Sequence, residues 1–201
     1  MDTLSFDSEK IVFVSEKKDS KTFYTLCVLD LLSNEITTLL TTEDYMLTYP
    51  IFSPDGEKIY YIQEHNNTYH FSSLHVMDKN GTHLYEFGDD YVTWRKPLYI
   101  TPDGEKIVYL SYDSLRIVNN DDSENVGIVK CDGYTLSNDG MKIAYSRSSG
   151  SIYIINLDGS GNRRIFSYLA DSNPIFLLHG EKLAFEGHYE INNAKDNLIT
   201  N

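Results

Sequence analysis

The six histidines offer the most chemistry in this sequence, and three of them, His65, His70 and His75, recur at five-residue intervals. Imidazole nitrogens bind zinc, copper and nickel when they converge on one point. In an extended strand, a five-residue step puts successive side chains on opposite faces. The spacing predicts loop polarity, and no metal ligand is assigned. Asp121-Asp-Ser-Glu-Asn125 is acidic but lacks the glycine and the bidentate glutamate of a calcium loop, so it reads as a solvated turn. Asp158-Gly-Ser-Gly-Asn-Arg-Arg164 has too few glycines at the wrong spacing to cradle a phosphate and reads as a hairpin. Gly159-Ser-Gly161 and Gly150-Ser151 do not supply a Gly-x-Ser-x-Gly nucleophile elbow, and no two carboxylates can be assigned to opposite walls of a cleft. Cys27 and Cys131 lie far apart without Cys-x-x-Cys spacing, as small apolar residues in or beside strands do. No catalytic residue and no cofactor site is predicted. Recognition chemistry remains: the single tryptophan, Trp94, stands beside Arg95, a pairing enriched in interface hot spots.

These residues sit between copies of one repeated segment. Phe52-Ser-Pro-Asp-Gly-Glu-Lys-Ile59 recurs as Ile100-Thr-Pro-Asp-Gly-Glu-Lys-Ile107 and Leu136-Ser-Asn-Asp-Gly-Met-Lys-Ile143. Worn copies open the chain at Leu4–Ile11 and close it at Phe176–Leu183. The lysines fall at positions 10, 58, 106, 142 and 182, a mean period of 43 residues, inside the ~40–45 residues of a four-stranded propeller blade. Proline presets the first turn corner, aspartate suits the second, and glycine takes the left-handed conformation closing a three-residue hairpin loop. On this reading Gly104→Val costs more than Gly161→Val, because the left-handed conformation is assigned to Gly104. Each turn leads into a continuous apolar run such as Ile59-Tyr-Tyr-Ile62 or Ile107-Val-Tyr-Leu110, which requires cover on both sheet faces. A third strand follows, then a polar turn, then a fourth strand at Ile36–Leu40, His83–Phe87, Val126–Val129 and Arg164–Phe166. No segment has helical periodicity. The expected fold is an all-β propeller of about five four-stranded antiparallel blades, or an incomplete six-bladed ring. It forms a single domain over residues 1–201, with repeats at 1–44, 45–92, 93–132, 133–170 and 171–201.

The repeated Ser-Pro-Asp-Gly turn, apolar strand and Asp-Gly turn resemble the WD-repeat-like blades of the TolB family of β-propellers. The resemblance covers essentially the whole chain. Repeat one departs from it with Phe6 and Ser8, and repeat five with Leu178 and His179. Such repeats occur in the Tol–Pal envelope protein, in propellers gating serine peptidases and in pectate-degrading lyases. The resemblance implies that A–B and C–D turns share one face of the propeller, and B–C and D–A loops the other. The A–B turns are nearly uniform and read as structural, so binding is expected on the variable face. Its candidates are Asp44 and Tyr45 after repeat one, His65, Tyr69 and His70 in the loop Gln63–Ser73, and Asp89, Asp90, Tyr91, Trp94 and Arg95 in the stretch Gly88–Pro97. A competing reading makes Trp94 and Tyr45 plugs between blades. The leading function is a non-catalytic scaffold for a protein or peptide. The alternatives are a glycan-binding or metal-dependent, pectate-lyase-like propeller, for which His65, His70, His179 and His188 are available, and the substrate-gating propeller of a larger peptidase.

Composition narrows the partners. Hydrophobic residues make up 41% and charged residues 23%, and 16 Tyr with 9 Phe favour strands. Seventeen Lys and Arg against 30 Asp and Glu leave a net charge of −13, which repels nucleic acid and anionic lipid. No apolar run approaches the ~20 residues of a spanning helix, so no membrane insertion is expected. The N-terminus lacks the pattern of a secretory signal, which points to the cytoplasm as written, or to the periplasm or exterior if a leader has been removed. The cramped fifth repeat predicts a ring without strand exchange or an open arc, the latter favouring a homodimer through its terminal blades.

Overall fold

A computed structural model of the chain describes residues 3–4, 9–65, 72–87, 97–121, 125–148, 150–167, 174–177 and 182–185. Every regular element among them is a strand. The first sheet runs β1 (Thr3–Leu4), β2 (Lys10–Lys18), β3 (Thr22–Asp30) and β4 (Ile36–Thr42). The second is β5 (Tyr45–Phe52), β6 (Lys58–His65), β7 (Ser72–Asp78) and β8 (His83–Phe87). β9 (Tyr99–Ile100), β10 (Lys106–Ser111), β11 (Ser114–Asn119) and β12 (Asn125–Lys130) make the third. The fourth is β13 (Gly133–Leu136), β14 (Lys142–Arg147), β15 (Ser151–Asn156) and β16 (Arg163–Ser167). β17 (Ile175–Leu177) pairs with β18 (Lys182–Ala184). The expected last strands, Tyr189–Ile191 and Leu198–Thr200, lie outside the described residues. Neighbouring strands are antiparallel throughout, in chain order. Contacts gather the chain into two compact units, Met1–Lys130 with Asn138–Gly140, and Cys131–Ser137 with Met141–Asn201.

In the first unit, the apolar run of β6 is shared between two cores. Ile59 and Tyr61 join Val12, Leu26, Leu47 and Met77, whereas Tyr60 and Ile62 join Leu74, Val76, Ile107 and Tyr109. That is the two-residue period of a strand covered on both faces. All four side chains are buried, and each contributes roughly 1.5–3 kcal/mol relative to an exposed one. The outermost strand is different: Ile36, at the start of β4, is 62% exposed. In the second unit, Ile143, Ala144 and Tyr145 are buried in the same way, and Tyr145 stacks on Tyr153 at 5.2 Å with Arg147 above both rings.

The turn before each apolar run has the expected left-handed glycine: φ is +71° at Gly56, +75° at Gly104 and +73° at Gly140. The loop Pro54–Glu57 is one residue longer than expected, because the hydroxyl ahead of the proline closes it. Ser53 Oγ donates to Asp55 Oδ1 at 2.5 Å and accepts from Lys58 N at 2.9 Å, while Asp55 Oδ1 also accepts from Glu57 N at 3.0 Å. Thr101, Asp103, Glu105 and Lys106 repeat the arrangement. The expected contrast between Gly104 and Gly161 does not hold. Gly161 also has positive φ, +66°, and a Cβ there would meet Asn156 Nδ2 at 2.8 Å, because Asn156 folds over the turn to bond Ser160.

Candidate binding cleft

In the first unit, the turns between paired strands frame an open cleft of about 490 Å³. Ser53, Pro54, Asp55 and Lys58 come from the turn between β5 and β6, Asp103, Gly104 and Glu105 from the turn between β9 and β10, and Asn119, Asn120 and Asp121 from the end of β11. Backbone hydrogen bonding fixes each wall. Gly56 N reaches Ser53 O at 2.9 Å, Gly104 N reaches Thr101 O at 2.8 Å, and Asn120 N reaches Glu105 O at 2.8 Å.

Asn120 is the keystone. Its Oδ1 accepts from Tyr60 Oη at 2.5 Å and lies 2.9 Å from Tyr85 Oη, and its Nδ2 donates to Gly104 O at 2.9 Å. Tyr85 Oη lies 2.6 Å from the Asn120 carbonyl oxygen and accepts from Lys58 Nζ at 3.2 Å. Burial, followed by the neighbouring Tyr85, pushes the Tyr60 hydroxyl well above its ordinary pKa, so it stays a proton donor.

Around this floor, to which Lys58 brings one ammonium, the rim is acidic. Asp55, Asp103, Glu105 and Asp121 are exposed, whereas Lys58 and Asn119 are half-buried. The Ser53 hydroxyl, then the Glu57 N–H, hold the Asp55 carboxyl below its ordinary value. Thr101 and the Glu105 N–H do the same for Asp103. These two carboxylates are ionised at neutral pH, aimed by their turns, and unable to reorient without breaking them. The arrangement can receive a cation or a hydrogen-bonding cationic side chain.

Of the residues expected to bind, the described ones, Asp44, Tyr45 and His65, do not line this cleft. Tyr45 opens β5 and pairs with His65, the last residue of β6. Asp44 is exposed, with its N–H on Thr42 Oγ1 at 3.2 Å. Lys21 Nζ bonds Glu43 Oε1 at 2.8 Å, so the loop between β2 and β3 meets the connection from β4 to β5, the grouping expected of B–C and D–A segments. The loop Gln63–Ser73 is shorter than expected: Gln63 pairs with Ser73 and Glu64 with Ser72, extending β6 and β7. Polar composition misled there, because ladder pairing uses backbone groups and is indifferent to a polar side chain. Tyr69, His70, Asp89, Asp90, Tyr91, Trp94 and Arg95 lie outside the described residues, as do His179 and His188. The cleft itself was missed because it is lined by the uniform turns that read as structural. The one available signal was the serine or threonine before each Pro-Asp-Gly.

No protein-family model and no curated protein sequence matches the chain. Solved structures do. TolB from Acinetobacter baumannii superposes with a TM-score of 0.67 at 18% identity, over 90% of this chain and 47% of that one. Oligogalacturonate lyase in complex with manganese gives 0.73 at 17% identity, over 92% and 60%. Periplasmic gluconolactonase from Pseudomonas aeruginosa gives 0.61 at 15%, over 92% and 63%. Successive four-stranded antiparallel meanders with both faces buried define the class: this is a β-propeller fold. More particularly, it is a TolB-like propeller fold. The chain spans between about half and two-thirds of the length of these three structures. No helix among the described residues is long and apolar enough to cross a membrane.

Proposed function

We propose that this chain is a non-catalytic binding module that takes a cationic segment of a protein or peptide partner across the acidic cleft. The observation that supports it is a rim of four exposed carboxylates, two of them locked ionised by their own turns, around a volume of about 490 Å³. That volume lies within the ~300–1,000 Å³ usual for ligand sites. The chain's net charge of −13 adds long-range attraction for a cationic partner. The likeness to a TolB structure is compatible with a binding role. The competing reading, a glycan-binding or metal-dependent lyase-like propeller, draws on the likeness to oligogalacturonate lyase.

The test is fluorescence anisotropy with a labelled Lys/Arg-rich peptide and an acidic peptide of equal length. Glu105→Gln with Asp121→Asn leaves the Ser53–Asp55 and Thr101–Asp103 bonds in place and should weaken the basic peptide about tenfold, the ~1.4 kcal/mol of a modest charge contribution. Neutralising Glu16 and Asp19, which lie away from the cleft, removes the same net charge and should weaken it far less. Equal loss from both pairs, or equal binding of the acidic peptide, would overturn the assignment.

A further inference from the structure

His75 and His83 meet on one face of the β7–β8 hairpin, with one ring nitrogen of each within hydrogen-bond reach of the other. His75 Nδ1 lies 3.4 Å from His83 Nε2, with the rings tilted by 57° and their centroids 5.6 Å apart. Two imidazole nitrogens on a tetrahedral zinc, each ~2.0–2.1 Å from the metal, are held roughly 3.3–3.4 Å apart. The second nitrogen of His75 is also accounted for. Nε2 lies 2.7 Å from Ser73 Oγ and 3.6 Å from Glu86 Oε2. A ligating histidine commonly gives its other N–H to such a hydroxyl or carboxylate, which fixes the tautomer and frees the opposite nitrogen. Tyr61, cross-strand from His75, stacks on its ring at 5.5 Å and holds the ring plane.

Backbone register brings the pair together. β8 is bulged at Leu84, so His75 faces Glu86 and Val76 faces Tyr85, but Met77 faces His83. With regular pairing and no bulge, His83 would fall opposite Asp78 on the other sheet face. The corresponding bulges in the other complete sheets fall between Leu26 and Cys27, Leu115 and Arg116, and Ile152 and Tyr153. Aligned on Asp30, Asp78, Asn119 and Asn156 at the following turns, the bulge of the second sheet is displaced by two residues along the strand. The displacement puts Glu86, in place of Tyr85, opposite His75.

The geometry points to a two-histidine site for a divalent transition-metal ion of the zinc, nickel or copper class, formed by His75 Nδ1 and His83 Nε2 and oriented by Ser73, with the Glu86 carboxylate nearby. Among the described residues no group of three His, Cys, Asp or Glu side chains is arranged to hold a metal ion. The remaining positions fall to water, and His83 is exposed. This site is separate from the acidic cleft and does not depend on its function.

Calorimetric titration of the full chain with zinc chloride tests it, with cobalt absorption as a readout of coordination geometry. One zinc per chain is expected, with a change in the cobalt spectrum on imidazole ligation. His83→Ala changes an exposed residue and should weaken zinc at least tenfold while circular dichroism stays unchanged. Ser73→Ala should weaken it severalfold through loss of orientation. His65→Ala with His70→Ala is the control and should bind as the parent does. No saturable zinc binding, undiminished binding by His83→Ala, or loss in the His65/His70 variant instead would each overturn the proposal.

Discussion

The hydroxyl of Ser53 illustrates how one small residue serves two purposes. It satisfies the Lys58 N–H and polarises toward Asp55, so the turn and the ionised rim of the cleft share one atom. Thr101 does the same beside Asp103. Thr101→Val keeps the shape but strands the Lys106 N–H, and should cost about 1–3 kcal/mol in urea unfolding. The same variant should alter acid sensitivity. Asp103 sits below its ordinary value of 3.8 in the folded chain. A depressed carboxylate contributes stability that is complete above its unfolded pKa and fades as pH falls through the folded one. The parent should therefore lose stability as pH drops below about 4, and Thr101→Val should lose less over that interval. Parallel urea midpoints at about pH 6 and pH 3 would show it, and identical slopes would remove the hydroxyl from the account.

At the scale of elements, successive turns nest. A Cβ on Gly104 would lie 3.6 Å from Pro54 Cδ, and one on Gly140 would lie 2.5 Å from Pro102 Cδ. The glycine of one repeat receives the proline of the repeat before it, so the motif carries packing between sheets as well as hairpin geometry. Gly56 has almost the same φ and nothing within 4 Å. Substituting alanine at Gly56 and Gly140 therefore separates the two effects. Both variants carry the left-handed penalty of about 1–2 kcal/mol. Gly140→Ala should cost a further ~1–3 kcal/mol, the usual magnitude of overpacking. Equal melting temperatures would mean that Pro102 moves aside freely.

Over the whole molecule, protection should follow the position of a strand within its sheet. β6, β10 and β14 are inner strands with almost continuous burial through their apolar runs. β4 and β16 are sheet edges and mostly exposed. Hydrogen exchange should be slowest in Ile59–Ile62, Ile107–Leu110 and Ile143–Tyr145 and fastest in the edge strands, because opening an edge exposes little apolar surface. Uniform exchange across a sheet would mean that each sheet opens as a single unit. Arg163 and Arg164 on β16 also discourage pairing with another chain.

Local information was enough to establish the all-β class, the recurring turn and the two-sided burial of the apolar runs. Each rests on neighbours in sequence: Pro54, Asp55 and Gly56 for the turn, and Ile59-Tyr-Tyr-Ile62 for a strand with no solvent face. The cleft rests on residues far apart in the chain. Tyr60 and Asn120 are sixty positions apart, and nothing in either segment announces the other. His75 and His83 are closer, but a one-residue bulge decides whether they share a face, and bulge position follows from how β7 and β8 pack, not from their composition. Periodicity determined which residues are buried. Only tertiary register decided which of them meet.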